Sequence, residues 1–309
     1  MVKFSFLKFK NNKIVQEWFH AFLYALLFAV TIRSFLYEPF HIPSGSMKPG
    51  LLVGDYLFVE KFSYGYSRYS FPLSVNIVPN RILSSKLKRG DVAVFRKPKG
   101  SQKMDFIKRT IGLPGDKIQM KAGRLYINGK IVKKKFISDY YVVNLPKEIR
   151  DQNDVSLAGY GFNNMFVKNN KRLFVGDKAL NKDQFDINYL NNLNCYMFRC
   201  VHKFKKYLET LPNGVSYEVL EISDMEGLDD TIEYVVPENH YFMMGDNRDM
   251  SEDSRVLSEV GFVPFKNFIG KAKLLFFSVN GAVSNFPLPI EFYRWGRVIR
   301  FDRILKLIK

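Results

Sequence analysis

The sequence predicts a mostly β protein, with a single N-terminal transmembrane helix followed by an antiparallel β body that carries an inserted, less regular subdomain. Residues 14–37 form one long apolar segment near the N-terminus. After residue 40 the chain consists of short runs rich in Val, Ile, Phe and Tyr, and several of these runs alternate apolar with polar residues. Gly, Pro, Asn and Asp separate these runs, as expected for strands joined by turns.

The N-terminal segment is long enough to cross a membrane. Apart from His20, no acidic or basic residue lies between Glu17 and Arg33, and counting onward through Tyr37 reaches the ~30 Å needed to span the hydrocarbon core. A cleavable signal peptide is disfavoured, because Arg33 and then Glu38-Pro39-Phe40 follow the apolar core. A buried core helix is the other alternative. The positive-inside rule places the N-terminus in the cytoplasm, given the lysines that precede the segment: Lys3, Lys8, Lys10 and Lys13.

The chain therefore divides into five predicted parts. They are a basic cytoplasmic N-terminus at 1–13, a membrane anchor at 14–37, a β domain at 38–134 and 236–290, an inserted subdomain at 135–235 and a basic tail at 291–309. Within the β domain, the sequence GRLYINGKIV predicts a hairpin with a type I′ turn at Asn128-Gly129. The tail either touches anionic lipid or is a solvated basic segment.

Composition leaves several partners open. The 309 residues are 47% hydrophobic, which is enough to bury a core, and the net charge is +17. Such a charge suggests nucleic acid or anionic lipid, or a general bias toward lysine. The only cysteines, Cys195 and Cys200, lack the second pair of ligands that a zinc knuckle needs. They form either a local disulfide or two unrelated thiols.

Common catalytic motifs are absent from the sequence. None of the four histidines, His20, His41, His202 and His240, lies in a metal-binding pattern, and there is no P-loop or nucleophile elbow. A hydrolase can instead pair Ser with Lys, provided that the amine is neutral. At an ordinary pKa near 10.4 only about one lysine in 2,500 is neutral at pH 7, but burial lowers that pKa by up to ~3–5 units. Lys108, on a predicted strand between apolar residues, is the candidate; the alternative is a solvated strand lysine.

Five ordered motifs carry a family resemblance. They are IPSGSM, GDYLFVEKFSYG, RGDVAVF, DFIKRTIGLPGD and GDNRDMSEDSR. In this order, just after a membrane anchor, they resemble the type I signal peptidases, the membrane-bound Ser-Lys endopeptidases of bacteria. The resemblance covers residues 33–132 and 236–280, and EPFHIPSGSM is most similar to the Gram-negative form. The insert carries no matching motif. Taken alone, GDNRDMSEDSR could also be a self-paired surface loop.

The resemblance implies roles for individual residues. Ser46 would be the nucleophile and Lys108 the general base. Ser44 would donate its hydroxyl to the oxyanion hole, together with the Ser46 backbone N–H. Ser251 would orient the Lys108 amine. Three residues would support this site: Asp253 and Arg255 as an ion pair, and Gly245 by leaving room beside the lysine.

The resemblance also implies a specificity and a location. Shallow pockets would accept small residues and so favour Ala-X-Ala junctions; they would be lined by Ile42, Pro43, Met47, Leu51, Phe106 and Ile107. Lys48-Pro49-Gly50 departs from the commoner threonine after the proline, and a Cys195–Cys200 disulfide is favoured. Signal-peptide-bearing preproteins and membrane lipid are the implied partners, with no nucleic acid, cofactor or metal. The body would lie on the periplasmic side of the inner membrane.

Two other functions remain open on the sequence. A Ser-Lys autoprotease acting as a DNA-binding repressor would need a helix-turn-helix before the dyad, where the sequence has only the membrane segment. A non-catalytic, membrane-anchored binding module would make Ser46 and Lys108 incidental. Loss of activity on substituting these two residues, with folding intact, separates an enzyme from a scaffold.

Overall fold

A computed structural model describes residues 13–71, 74, 78, 80–100, 104–143, 165–168, 172–175, 178–179, 201–223, 227–279 and 299–308. This part of the chain contains one α-helix, α1 (Lys13–Phe35), and eighteen strands. The first nine strands are β1 Tyr37–His41, β2 Asp55–Glu60, β3 Val92–Arg96, β4 Asp105–Gly112, β5 Lys117–Lys121, β6 Arg124–Ile127, β7 Lys130–Ile131, β8 Lys133–Val143 and β9 Met165–Lys168. The others are β10 Arg172–Val175, β11 Lys178–Ala179, β12 Val201–Thr210, β13 Ser216–Glu221, β14 Tyr234–Val235, β15 His240–Met244, β16 Val263–Pro264, β17 Phe268–Ser278 and β18 Lys306–Leu307.

The paired strands are antiparallel, as the sequence predicts. The main sheet has the order β1-β2-β17-β3-β4-β15-β16, with β18 added on β17. Three smaller sheets have the orders β14-β5-β6-β7, β13-β12-β8 and β11-β10-β9. Short 3-10 helices lie at Arg68–Ser70, Arg248–Met250, Phe265–Asn267 and Phe301–Arg303.

Helix α1 is long and apolar enough to span a membrane. Its 23 residues rise by about 34 Å, and only 6% of its most apolar 18-residue window is buried in the protein. This exposure argues against a buried core helix. The helix ends two residues earlier than the sequence segment, because Tyr37 belongs to β1. The body holds this end: the Tyr66 hydroxyl donates to the Phe35 carbonyl at 3.0 Å, and the Lys61 N–H donates to the Leu36 carbonyl at 3.0 Å.

Arg33, near the end of α1, forms an ion pair with Glu38. Its guanidinium lies 2.7 Å from a carboxylate oxygen of Glu38, and the buried Lys61 amine lies 2.6 Å from the other oxygen. The charges at the helix end are therefore paired within the first residues of the body.

The predicted hairpin has the expected turn. Asn128 and Gly129 both have positive φ, at 54° and 74°, and Ile127 pairs with Lys130 across the turn. A type I′ turn requires positive φ at both central residues, which Asn-Gly tolerates best. The Asn-Gly pair therefore matches the backbone conformation that this turn requires.

The described part of the insert is more regular than the sequence predicts. The long strand β12 pairs with β8 on one side and with β13 on the other. The predicted boundary at residue 134 falls within β8, and the boundary at residue 235 falls on β14, which pairs with β5 of the body. Cys195 and Cys200 lie outside the described residues.

Strand β4 connects two parts of the hydrophobic core. Ile111 belongs to a buried cluster with side chains from β5, β6 and β15, whereas Ile107 packs against a second cluster built on β2, β3 and β17. Because β4 lies between β3 and β15 in the sheet, its central residues are held rigidly. Lys108 is one of them.

Candidate active site

The loop between β1 and β2, residues 42–54, presents Ser46, the expected nucleophile, and is called the nucleophile loop. Its base is closed by backbone hydrogen bonds: the Ile42 N–H donates to the Asp55 carbonyl at 2.8 Å, and the Gly54 N–H donates to the Ile42 carbonyl at 3.0 Å. Met47 and Leu51 are 1% and 2% exposed and belong to the second core cluster. The core therefore anchors the loop on either side of its turn, and Ser46 has little freedom to move.

Lys108 reaches Ser46 from the central strand β4. Its backbone pairs with Ala93 of β3, and the next residue, Arg109, pairs with Met244 of β15. The Lys108 Nζ lies 2.6 Å from the Ser46 Oγ, and these two residues are called the dyad. Both residues are nearly buried, at 4% and 8% exposure. The contact joins residues that are 62 positions apart in the chain.

Burial changes the protonation of this lysine. Desolvation is the largest effect and lowers the pKa of Lys108 to about 8, with Arg255 acting in the same direction and Asp253 opposing it. The amine also lies 5.6 Å from the centre of the Phe106 ring, an apolar neighbour on the same strand. At this pKa about one amine in ten is neutral at pH 7, compared with about one in 2,500 for an ordinary lysine.

The carbonyls of the nucleophile loop are held by Asn247, which the sequence did not single out. The Asn247 N–H donates to the Ser46 carbonyl at 3.0 Å, and its side-chain amide donates to the Gly45 carbonyl at 3.0 Å. On the exposed side of the loop, the Ser44 Oγ lies 3.4 Å from the Ser46 Oγ. The two serines of PSGSM are thus adjacent in space, and only Ser46 contacts the lysine amine at hydrogen-bond distance.

Gly245 lies where no side chain fits. A Cβ added there would lie 2.6 Å from the Ser46 carbonyl oxygen and 2.5 Å from the Ser251 Cβ, with the Ser251 hydroxyl closer still. Ser251 is buried next to the dyad, but its hydroxyl has no hydrogen-bond partner among the described residues. The expected bond from Ser251 to the Lys108 amine is therefore not formed in this structure, although Ser251 lies beside the glycine that follows β15.

Asp253 and Arg255 form the expected ion pair beneath this glycine. The Arg255 Nε and Nη2 each donate to Asp253 at 2.9 Å. Asp253 also accepts the Gly245 N–H at 3.0 Å. Burial alone would raise the pKa of Asp253, but Arg255 more than offsets it and holds that pKa below its usual range. The carboxylate stays charged and fixes the Gly245 backbone.

A second layer of buried ion pairs surrounds the site. Arg109 binds Asp246 through two hydrogen bonds of 2.8 and 2.7 Å, and its guanidinium lies 4.0 Å from the centre of the Tyr217 ring. Arg248 donates to Glu209 of β12 through its two terminal guanidinium nitrogens, Nη1 and Nη2. GDNRDMSEDSR is therefore mostly buried rather than a solvated surface loop. Its partners on β4 and β12 are distant in sequence, which explains why the sequence alone did not reveal them.

The six predicted pocket residues divide into two groups. Ile42, Met47 and Leu51 are almost completely buried in the core under the loop, and their role in lining substrate pockets stays a prediction. Pro43 is exposed, and Phe106 and Ile107 are half-buried. The first group owes its burial to the need to anchor the loop.

Lys48, in the nucleophile loop, is buried like Lys61 and Lys108. Burial, followed by the charge of Arg300, lowers the pKa of Lys48 to about 8. A Cβ on Gly45 would lie 3.7 Å from the Lys48 Nζ, so this amine packs beside the turn that precedes Ser46. The sequence identified Lys48 only as a departure from the family pattern.

His240 is poorly placed to replace Lys108. Its Nδ1 lies 2.8 Å from the Glu238 carbonyl oxygen, and it begins the strand that ends just before Gly245. Five residues of extended chain span about 17 Å. The imidazole is therefore at the far end of β15 from the dyad.

This chain is similar to known proteins along most of its length. The family described as "Signal peptidase, peptidase S26" matches residues 15–277. A signal peptidase I from Rickettsia typhi is 32% identical over 96% of this chain and 95% of its own length. One from Rickettsia canadensis is 33% identical over 96% of this chain and 94% of its own length. Both alignments run almost from end to end.

A solved structure was also matched. A crystal structure of a signal peptidase I from Enterococcus faecalis covers 60% of this chain and 97% of that chain, at 21% identity and a TM-score of 0.25. That score is too low to support any argument about geometry. The assignment comes from the sequence comparisons: this chain belongs to the signal peptidase family, peptidase S26, and is a serine endopeptidase of the family that removes signal peptides.

Proposed function

We propose that this chain removes signal peptides from exported preproteins with Ser46 as the nucleophile and a neutral Lys108 as the general base. The observation that carries this proposal is the 2.6 Å separation of the Lys108 Nζ and the Ser46 Oγ. Both groups are buried, and burial lowers the pKa of the amine to about 8. A general base must lie within hydrogen-bond reach of the proton that it takes and have a pKa near the working pH.

The reaction then follows in two halves. The Ser46 hydroxyl gives its proton to the Lys108 amine while the Oγ bonds to the scissile carbonyl carbon. The tetrahedral intermediate expels the amine of the mature protein, which takes a proton from Lys108, and leaves an acyl-enzyme on Ser46. Lys108 next takes a proton from water, the hydroxide attacks the ester, and Ser46 regains its proton as the signal peptide leaves with a new carboxylate.

The oxyanion of each intermediate needs fixed donors. We assign this role to the Ser44 hydroxyl and the Ser46 backbone N–H. The position of the Ser44 Oγ, 3.4 Å from the Ser46 Oγ, supports the first assignment. The hydrogen bonds from Asn247 to the Gly45 and Ser46 carbonyls support the assignment of the Ser46 N–H, because they fix the peptide planes on both sides of the nucleophile. Donors that need no reorganisation stabilise a developing charge most effectively.

We propose that the enzyme cleaves after small residues at Ala-X-Ala junctions. Pro43, Phe106 and Ile107 retain exposed surface, and the Phe106 ring lies 5.6 Å from the Lys108 amine. We expect these stiff or bulky side chains to leave only shallow depressions for the substrate. Met47 and Leu51 limit the depth from below, because they already fill the core under the loop. Alanine would be accommodated, whereas a larger side chain would have to displace core residues.

We propose a location that is supported by the helix and by its connection to the site. Helix α1 would span the inner membrane with its N-terminus in the cytoplasm, and the catalytic body would lie on the periplasmic side in contact with lipid. Only β1 separates α1 from the nucleophile loop, and its five residues extend about 17 Å. Ser46 is therefore held close to the membrane surface, where a signal peptide in the same bilayer presents its cleavage site.

Cleavage of a peptide with one Ala-X-Ala junction tests the proposed function. We expect the detergent-solubilised wild type to cut after the second alanine, with and without EDTA. We expect Ser46→Ala and Lys108→Met to lose at least about 10³-fold in kcat/KM, because nucleophile and base act as one unit. Substitution of the final alanine of the junction by leucine should abolish cleavage.

The contrary results are equally specific. Cleavage by a folded Ser46→Ala variant at the wild-type rate would refute the nucleophile, and inhibition by EDTA would indicate metal chemistry. Absence of cleavage by folded wild type would favour the non-catalytic binding module.

A further inference from the structure

The C-terminal segment 299–308 is part of the catalytic body. Ile299 pairs with Val279, β18 pairs with β17, and the Ile308 N–H donates to the Lys273 carbonyl at 2.9 Å. The Ile308 side chain packs against the core cluster that contains Met47 and Leu51. The segment lies outside the family match at 15–277, yet it contacts the same core that anchors the nucleophile loop.

Two arginines of this segment are buried. Arg300 and Arg303 are 4% and 7% exposed, so neither is available for the lipid contact that the sequence suggested for the tail. Arg300 donates to the Val53 and Val279 carbonyls at 2.6 and 2.5 Å. Burying a guanidinium costs free energy unless its donors are hydrogen-bonded. Of the two carbonyls, that of Val53 is in the nucleophile loop and that of Val279 directly follows β17.

Arg303 makes the contacts that matter most for the loop. Its Nε and Nη2 donate to the two carboxylate oxygens of Asp55 at 3.0 and 2.6 Å, and the Nη2 also donates to the Gly50 carbonyl at 2.8 Å. A bidentate arginine–carboxylate pair fixes orientation as well as distance. One side chain of the C-terminal segment thus joins the far end of the Ser46 turn to the first residue of β2.

Asp55 connects this arginine to the loop base. It is completely buried, and it accepts the Leu52 N–H at 2.7 Å and the Ser278 hydroxyl at 2.6 Å. Its backbone carbonyl closes the loop through Ile42. Without Arg303 this buried carboxylate would lose its bidentate partner, and the Gly50 carbonyl would lose a charged donor.

We propose that Arg303 is a positioning residue for the reaction. Together with Asp55 it holds the Gly50 end of the nucleophile loop, while Asn247 holds the Gly45–Ser46 end. The Ser46 Oγ is thereby kept at hydrogen-bond distance from the Lys108 amine and in line for attack. This inference rests on the proposed Ser46–Lys108 mechanism, and it makes the C-terminal segment a requirement for full turnover.

The test compares three full-length variants with wild type. We expect Arg303→Gln to lower kcat by about 10- to 100-fold with KM within about threefold, because a 1 Å misplacement of a reacting group can cost about 100-fold. Arg303→Lys keeps the charge but cannot form the same bidentate pair with Asp55, so we expect kcat to fall by about 3- to 10-fold. Lys306→Gln is the control: it lies on the same segment, and its side chain is exposed. It should cleave like wild type.

Hydrogen exchange separates positioning from general stability. At a temperature where all variants are folded, Arg303→Gln should increase amide exchange at Leu51 and Leu52, while exchange in the centre of β4 stays unchanged. The midpoint of the pH–rate profile should also stay unchanged, because Arg303 does not contact Lys108. If Arg303→Gln fails to fold, amide exchange and the pH–rate profile are measured on Arg303→Lys instead.

Two outcomes overturn the inference and can be told apart. If Ser46→Ala is inactive but folded Arg303 variants keep kcat within twofold of wild type, the positioning role is refuted and the mechanism stands. If folded Ser46→Ala cleaves normally, the mechanism fails and the inference fails with it.

Discussion

Lys108→Met is expected to abolish cleavage and to stabilise the fold at pH 7. Loss of the base should lower kcat/KM by at least about 10³-fold. The same change removes an amine that is buried at a cost, since burial lowers the pKa of Lys108 from 10.5 to about 8. Each unit of pKa shift corresponds to about 1.4 kcal/mol, so the relief amounts to about 3 kcal/mol. Activity and stability should therefore change in opposite directions.

The sign of this effect depends on pH. Between pH 8 and 10.5 the unfolded wild type binds the Lys108 proton and the folded wild type does not, so this lysine makes wild-type stability rise with pH in that range. Below pH 8 both states are protonated, and the full cost of burial remains. The stability advantage of Lys108→Met should be constant below pH 8 and should shrink as the pH rises to 10.5.

Chemical denaturation of the two proteins at pH 7 and pH 10 measures this directly. We expect the difference in the free energy of unfolding to be about 3 kcal/mol at pH 7 and below about 1 kcal/mol at pH 10. A difference that does not depend on pH would mean that the Lys108 pKa is ordinary. Retained activity in the folded variant would assign the base to another group.

Gly245→Ala should be the most damaging single-methyl change near the site. The added Cβ would lie 2.6 Å from the Ser46 carbonyl oxygen and 2.5 Å from the Ser251 Cβ, distances that demand a shift of backbone. Moving Ser46 by 1 Å would cost about 100-fold in kcat. Overpacking of this kind also destabilises folded proteins by about 1–3 kcal/mol. We expect both losses together.

Gly227→Ala is the matched control for this substitution. A Cβ at Gly227 meets no atom of the described residues within 4 Å, so kcat and the melting temperature should remain those of wild type. A Gly245→Ala enzyme with kcat within threefold of wild type would show that the loop tolerates the methyl group. The close fit between Gly245 and Ser46 would then have no catalytic importance.

Local patterns in the sequence predicted local structure well. The apolar segment at 14–37 predicted α1 to within two residues at its end, and Asn128-Gly129 predicted its turn, because both have strong short-range sequence signals. The alternating runs predicted β4, whereas their order in the sheet depends on pairing between distant segments. No spacing rule indicates that β17 lies between β2 and β3.

Long-range ion pairs could not be predicted in the same way. Each of these pairs joins residues that come together only when the sheets form. They are Arg109–Asp246, Arg248–Glu209 and Arg303–Asp55. In the sequence each arginine looks like a surface charge in a strongly basic chain. The five ordered motifs placed Ser46 and Lys108 together by family resemblance, while the burial that lowers the Lys108 pKa is a property of the folded core.

The pH dependence of kcat/KM tests the Ser46–Lys108 dyad most directly. With an N-acetylated peptide that lacks titrating groups and is cleaved slowly enough for chemistry to limit the rate, this parameter reports the pKa of the free-enzyme base. Lys48→Met must be measured in parallel, because the pKa of Lys48 is also lowered to about 8. We predict a rise of about tenfold per pH unit up to a midpoint near 8, retained in Lys48→Met. A flat profile from pH 5 to 10, or a midpoint that disappears in Lys48→Met, would contradict Lys108 as the base.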